Sequence, residues 1–133
     1  MIVVDVNVIA YLLIEGQKTR IARQVYERDS DWILPPLWRS EFLNILALQL
    51  HHRGFNLSAA LGLWETAVEL FTNRERPIDM PLALRIAAEN RITGYDAQYL
   101  SLAQQAAVFC VSEDRELTRK FPGRVVRMAR FLE

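Results

Sequence analysis

Four runs of β-branched or aromatic apolar residues, none longer than four positions, punctuate the chain at Ile2–Asp5, Trp32–Leu34, Val108–Val111 and Val125–Val126. Runs this short, apolar on both faces, suit strands buried inside a sheet that is covered above and below; a half-exposed strand would alternate apolar and polar residues. The first run is expected at the centre of that sheet. Between the runs, apolar spacing predicts helices over about Val8–Leu13, Thr19–Arg28, Leu37–His52, Leu82–Asn90, Asp96–Gln105 and Glu113–Lys120. A further helix, capped by Asn56 or Ser58, runs to about Thr72. Pro35 and Pro36 stop the second strand, because proline donates nothing to a ladder and favours a helix start. Arg76–Asp79 reads as a weak additional strand, which Pro77 within it and Pro81 after it confine to a sheet edge. Short buried strands alternating with helices give an α/β chain, a three-layer α/β/α sandwich around a short-stranded, mostly parallel central sheet. The strand order is left open by the sequence.

The length of 133 residues fits one domain spanning 1–133, and at that size folding withdraws roughly two-thirds of the chain's surface from water. Hydrophobic residues at 51% and charged residues at 24% exclude a disordered tail. Sixteen basic and sixteen acidic residues cancel, so net charge gives no reason to expect a polyanionic partner and only its distribution bears on the question. Six basic residues (Arg115, Arg119, Lys120, Arg124, Arg127, Arg130) crowd the last nineteen positions, a stretch able to face phosphate. The single Cys110 lies in the apolar run Val108–Val111 and reads as core rather than as a disulfide partner. The N-terminal MIVVDVNVIAYLLI is broken by Asp5 and Asn7, has no basic leader, and falls short of the roughly 20 residues that cross a bilayer. A cytoplasmic protein with no membrane partner is therefore expected.

Four acids stand where these elements meet. Asp5 ends the first strand inside an apolar stretch, where an ionised carboxylate needs compensation nearby. Glu41 begins the helix after the second strand, Asp96 begins the helix leading to the strand at Val108, and Asp114 follows that strand. Each has an ordinary alternative: Asp5 or Asn7 as a helix cap, Glu41 and Asp96 as first-turn acids, and Ser112 as the cap of the helix beside Asp114. Topology changes the weighing. In a parallel sheet wound with helices, strand C-termini and helix N-termini emerge on one edge, so all four acids belong to one rim. Carboxylates gathered there repel one another unless cations hold them, and an all-oxygen set suits Mg²⁺ or Mn²⁺. No histidine or cysteine cluster suggests zinc; His51 and His52 end a helix, where imidazolium is favourable beside free carbonyls.

The same residues resemble the PIN-domain nucleases, in particular the VapC-like toxins of bacterial and archaeal toxin–antitoxin pairs. IVVDVNVIAYLL is similar to the family's opening strand, with Asp5 and Asn7 in its Asp-x-Asn. SEFLNIL is similar to the helix that carries the glutamate, here Glu41, with Asn44 one turn on. TGYDAQYLSLA is similar to the Tyr-Asp-Ala-x-Tyr-x-x-Leu-Ala segment, with Asp96 as its acid. VSEDREL is similar to Thr-x-Asp-x-x-Leu, with Ser112 in place of the commoner Thr and Asp114 as its acid. The resemblance spans essentially the whole chain. It implies an endoribonuclease that uses Mg²⁺ or Mn²⁺ held by Asp5, Asp96 and Asp114, with Glu41 directly or through water, to hydrolyse RNA phosphodiesters. Asn7 and Ser112 would orient ligands or contact phosphate, and Arg115 and Arg119 would grip the backbone. It further implies a homodimer and a separately encoded antitoxin.

Several assignments remain two-sided at this level. Arg115 and Arg119 also read as a solvated helix face. Tyr95, Tyr99 and Trp38 can stack bases, but aromatics at such spacing are more often core, and core is the expectation for Tyr99. The apolar helical pair between Trp38 and Phe71 suits an antitoxin groove, a homodimer contact or plain core. Two rival functions follow. An aspartyl phosphatase needs a second aspartate where this chain has Asn7; a non-catalytic PIN-like module would bind RNA or protein without cleaving.

Overall fold

A computed structural model describes residues 1–133 and places four strands in one sheet, β1 (Ile2–Val4), β2 (Trp32–Ile33), β3 (Cys110–Val111) and β4 (Val125–Val126), in the order β2-β1-β3-β4. All three pairings are parallel, with Ile2 opposite Trp32, Val3 opposite Cys110 and Cys110 opposite Val125. β1 is interior, as its sequence predicted, and every residue of it is buried. A parallel strand enclosed on both faces requires helices above and below, which is the expected three-layer α/β/α arrangement.

Eight helices supply those layers: α1 (Val6–Leu13), α2 (Thr19–Arg28), α3 (Trp38–His52), α4 (Leu57–Phe71), α5 (Met80–Asn90), α6 (Gly94–Ala106), α7 (Arg115–Lys120) and α8 (Met128–Phe131). α5 packs along α6, which reaches β1 and β3, whereas α1 touches α2, α3 and α4. The α3/α4 pair is fastened by aromatic contacts. Trp38 stacks with Trp64 at a centroid distance of 6.3 Å and meets Phe71 edge-on at 5.9 Å. Trp38, Phe42 and Phe71 are fully withdrawn from solvent, so the apolar stripe of this pair is core, and Trp38 has no face left for a base. Leu43, Leu48, Leu57 and Leu61 remain exposed on the same two helices.

The boundaries differ from the sequence expectation in physically readable ways. The additional strand at Arg76–Asp79 does not form. One parallel bridge joins Leu34 to Glu75 instead, through Leu34 N–H to the Arg74 carbonyl (3.1 Å) and Arg76 N–H to the Leu34 carbonyl (3.0 Å). Pro77 has no N–H to continue it, and Asp79 is taken by α5, whose Leu82 amide donates to Asp79 Oδ1 (2.9 Å). The run at Val108 shrinks to Cys110–Val111 because the Val108 amide closes the end of α6 on the Ala103 carbonyl (3.0 Å). The last predicted helix begins at Arg115, not Glu113, and its cap is Asp114, not Ser112: the Leu117 amide donates to Asp114 Oδ1 (3.0 Å). Asn56 is the cap of α4, accepting from the Ala59 amide (2.7 Å). α8 was not anticipated, since four residues carry no periodic signal. Cys110 is fully buried as expected, and burial pushes its thiol far up from the ordinary range. No helix is long and apolar enough to cross a membrane.

Candidate functional site

Asp5 stands at the C-terminal end of β1, its amide still in the ladder on the Val111 carbonyl (3.0 Å) and its backbone extended at the cap position of α1. Its side chain does not cap that helix. The amides of Asn7 and Val6 lie near enough to favour the charged form, yet neither forms a capping hydrogen bond, and the carboxylate instead accepts from Ser112 Oγ at 2.9 Å. Ser112 is itself fixed: its backbone amide donates to the Val126 carbonyl (3.0 Å) and its Oγ accepts the Asp114 amide (3.1 Å). One buried hydroxyl thus ties the acid of β1 to the backbone that carries Asp114. Asp5 is 8% exposed, and this burial first, then repulsion by Asp114, raises its carboxyl above the ordinary value despite the Ser112 hydrogen bond.

Glu41 lies in the first turn of α3, half-buried, and accepts a hydrogen bond from the Tyr99 hydroxyl at 2.6 Å. Burial raises its carboxyl, with Asp5 and Asp96 adding to the rise and Tyr99 opposing it. Asp96 is in the first turn of α6, behind the cap Thr93, whose Oγ1 accepts the Asp96 amide (3.0 Å). Burial raises Asp96 as well, followed by Asp5 and Asp114. Asp5 therefore repels Glu41 and Asp96, and Asp114 repels Asp5 and Asp96, so the four form one electrostatic group. None of them takes part in an ion pair, although seven other acids of the chain do.

The group is not a closed cage. No three acid, histidine or cysteine side chains stand close enough together to grip one ion as they are. The donor set nevertheless fits a hard divalent cation. It consists of carboxylate oxygens with a hydroxyl and an amide beside them, it has no neutralising arginine or lysine, and its most buried member has only a neutral hydroxyl as a hydrogen-bonding side-chain partner.

Asn7 is exposed at the rim beside Asp5 and, with Ser40, Glu41, Asn44 and Tyr95, lines a hollow of about 510 Å³. A larger hollow of about 760 Å³ lies beside the acids rather than over them, bordered by Tyr11, Lys18, Gln49 and Arg53. Asn7 and Ile45 border both, so the two hollows adjoin. The basic C-terminal stretch is mostly spoken for. Arg119 pairs with Glu116, Lys120 with the Asn90 carbonyl (2.9 Å), Arg124 with Gln104 (2.8 Å), Arg127 with Glu113 (2.8 Å) and Arg130 with Glu133. Arg115, exposed directly after Asp114, is the one of the six whose side chain makes no ion pair or hydrogen bond.

Sequence reasoning placed Tyr99 in the core, and it is 2% exposed, but its hydroxyl reaches the acidic group. The only signal for that was its position three residues after Asp96 on the same helix. Tyr95, exposed by 65% at the mouth of the hollow, is the aromatic left free to meet a ligand.

A family model described as PIN domain matches residues 2–121. No curated protein sequence matches the chain. Among solved structures, PAE2754 from Pyrobaculum aerophilum superposes with a TM-score of 0.76 at 22% identity, covering 98% of this chain and 85% of that one. FitAcB from Neisseria gonorrhoeae gives 0.73 at 22% identity, over 97% and 99% of the two chains. A toxin–antitoxin complex from Klebsiella pneumoniae gives 0.67 at 17% identity, over 96% and 98%. At these identities the likeness is one of fold.

Proposed function

The chain belongs to the PIN domain family, and on that premise we propose that it is a divalent-cation-dependent endoribonuclease, the toxin of a toxin–antitoxin pair. The observation that carries the reading is the group of Asp5, Glu41 and Asp96, drawn from three separate elements, each raised by burial and by its neighbours and none paired to a cation of the chain. Asp5, Asp96 and Asp114, with Glu41, would hold Mg²⁺ or Mn²⁺. Such an ion, when bound, supplies the positive charge that makes water more acidic and offsets charge gathering on the phosphorus oxygens.

The remaining roles fall to side chains already in position. Ser112 fixes one oxygen of Asp5, which leaves the other free of side-chain donors. Asn7, exposed beside it, can donate to a phosphate oxygen, and the unpaired guanidinium of Arg115 can hold a phosphate next to the one cut. The exposed ring of Tyr95 offers a face to a base. An RNA strand lying in the hollow along Asn7 and Glu41 would have Lys18 and Arg53 in the adjoining hollow as further phosphate contacts.

The partner reading rests on the neighbours, one of which is a toxin–antitoxin complex. Leu43 and Leu48 on α3 and Leu57 and Leu61 on α4 are exposed apolar side chains that an antitoxin segment or the second copy in a homodimer could cover. The rival reading is a non-catalytic binding module that holds RNA or protein without cutting. Incubating purified protein with mixed RNA in Mn²⁺ or EDTA, beside Asp96→Asn, separates the two. Cleavage that needs Mn²⁺ and disappears in the variant supports the nuclease. RNA bound but uncut at every cation concentration, or equal cleavage by both proteins, sinks it.

A further inference from the structure

We infer that Tyr99 is a positioning residue, holding Glu41 inside the acidic pocket by a hydrogen bond from its phenolic hydroxyl. The inference rests on the cation-binding reading of that pocket. Tyr99 projects from α6 and Glu41 from α3, 58 positions apart in sequence, and the hydroxyl donates to Glu41 Oε1 at 2.6 Å. This is the one hydrogen bond made by the Glu41 side chain, and no basic residue pairs with it.

Glu41 needs such a restraint. Asp5 and Asp96 repel it, it has three side-chain torsions to turn about, and it is only half-buried, so rotation toward water relieves the repulsion. Tyr99 has little such freedom, since it is 2% exposed in the packed interior of α6. The ring satisfies the core as a phenylalanine would. The hydroxyl adds nothing to that packing and ends at the carboxylate, unlike the buried Ser101, whose hydroxyl satisfies itself on the Asp79 backbone carbonyl at 2.9 Å. With Oε1 held, Oε2 has no protein donor and is available to a cation or to water that hydrates one. A donor acting on a ligand carboxylate in this way typically changes cation affinity by about 10–100-fold.

Tyr99→Phe removes the oxygen and keeps the ring. Apparent Mn²⁺ affinity is read from the rise in melting temperature with Mn²⁺ concentration, which needs no turnover, and cleavage is followed separately on one RNA substrate. We expect the variant to melt within a few degrees of the wild type without cation, to bind Mn²⁺ about 10-fold more weakly, and to keep the wild-type KM for RNA while kcat recovers at high Mn²⁺. In a Glu41→Gln background, Tyr99→Phe should have no further effect on Mn²⁺ binding. Equal Mn²⁺ affinity in Tyr99→Phe and wild type overturns the inference, as does the same loss with and without Glu41. A wild-type protein with no Mn²⁺ response overturns the pocket reading first, and the role of Tyr99 with it.

Discussion

Glu113 and Asp5 both follow strands at the same edge of the sheet, Asp5 buried and Glu113 partly so. Around Glu113 the chain supplies its own positive charge. Arg127 donates two hydrogen bonds to Oε2 (3.2 and 2.8 Å), Lys18 stands at 3.6 Å and the Met128 amide donates to Oε1 at 2.8 Å. Burial alone would raise Glu113, but the Met128 amide and Arg127 together overcome it and hold the carboxyl below its ordinary value. Around Asp5, Glu41 and Asp96 the side-chain donors are neutral hydroxyls, and all three carboxyls lie above theirs. One acid meets positive charge supplied by the fold itself; the other group has none of the chain's cations beside it.

The contrast can be broken most directly at Asp96. Asp96→Asn should lower cation-dependent RNA cleavage by more than about 100-fold, beyond what supporting residues usually cost, while raising the cation-free melting temperature by a few degrees because one repelling charge is gone. A variant that melts lower without cation and still cleaves would erase the distinction. Glu113→Gln should do the reverse, costing about 2 kcal/mol through weakened charge-assisted hydrogen bonds. Thermal melts would show this as a drop of several degrees, with the Mn²⁺ response intact.

Acid titration of stability sharpens the same comparison at smaller amplitude. Asp5, Glu41 and Asp96 have folded values above their unfolded ones, so the folded state takes up protons first and cation-free stability should rise as pH falls through those raised values. Glu113 is lowered, so its contribution is present above the unfolded value and disappears as pH falls through the folded one. Melting temperature against pH should therefore pass through a maximum on the acid side of neutrality, and saturating Mn²⁺ should remove the rise that precedes it. A monotonic fall from neutral pH without cation would contradict the assignment. The smallest effect is expected at Arg115, where Ala should weaken RNA binding a few-fold, more at low salt than at high, and leave Mn²⁺ affinity unchanged in the melting assay.

The readable part of the molecule is the part fixed by local pattern. Ile2–Val4 announces a doubly covered strand because all its side chains are apolar, and Pro77 marks the segment after Glu75 as a poor strand because it lacks an N–H. The acids are readable too, since parallel topology sends strand ends and helix starts to one rim. What lies beyond local pattern is pairing across the chain. Ser112 reads as a helix cap until the fold brings it to Asp5, 107 positions away. Tyr99 reads as packing until its hydroxyl meets Glu41, and Arg127 reads as one more basic residue in a phosphate-facing tail until it closes on Glu113. Of that tail, only Arg115 keeps the freedom the sequence suggested.

The Asp5 amide is hydrogen-bonded into the ladder between two interior strands, and the Ser112 amide into the next one. The floor of the pocket is therefore built from the peptide groups that should be slowest to trade their hydrogens with heavy water, released only when the whole sheet comes apart.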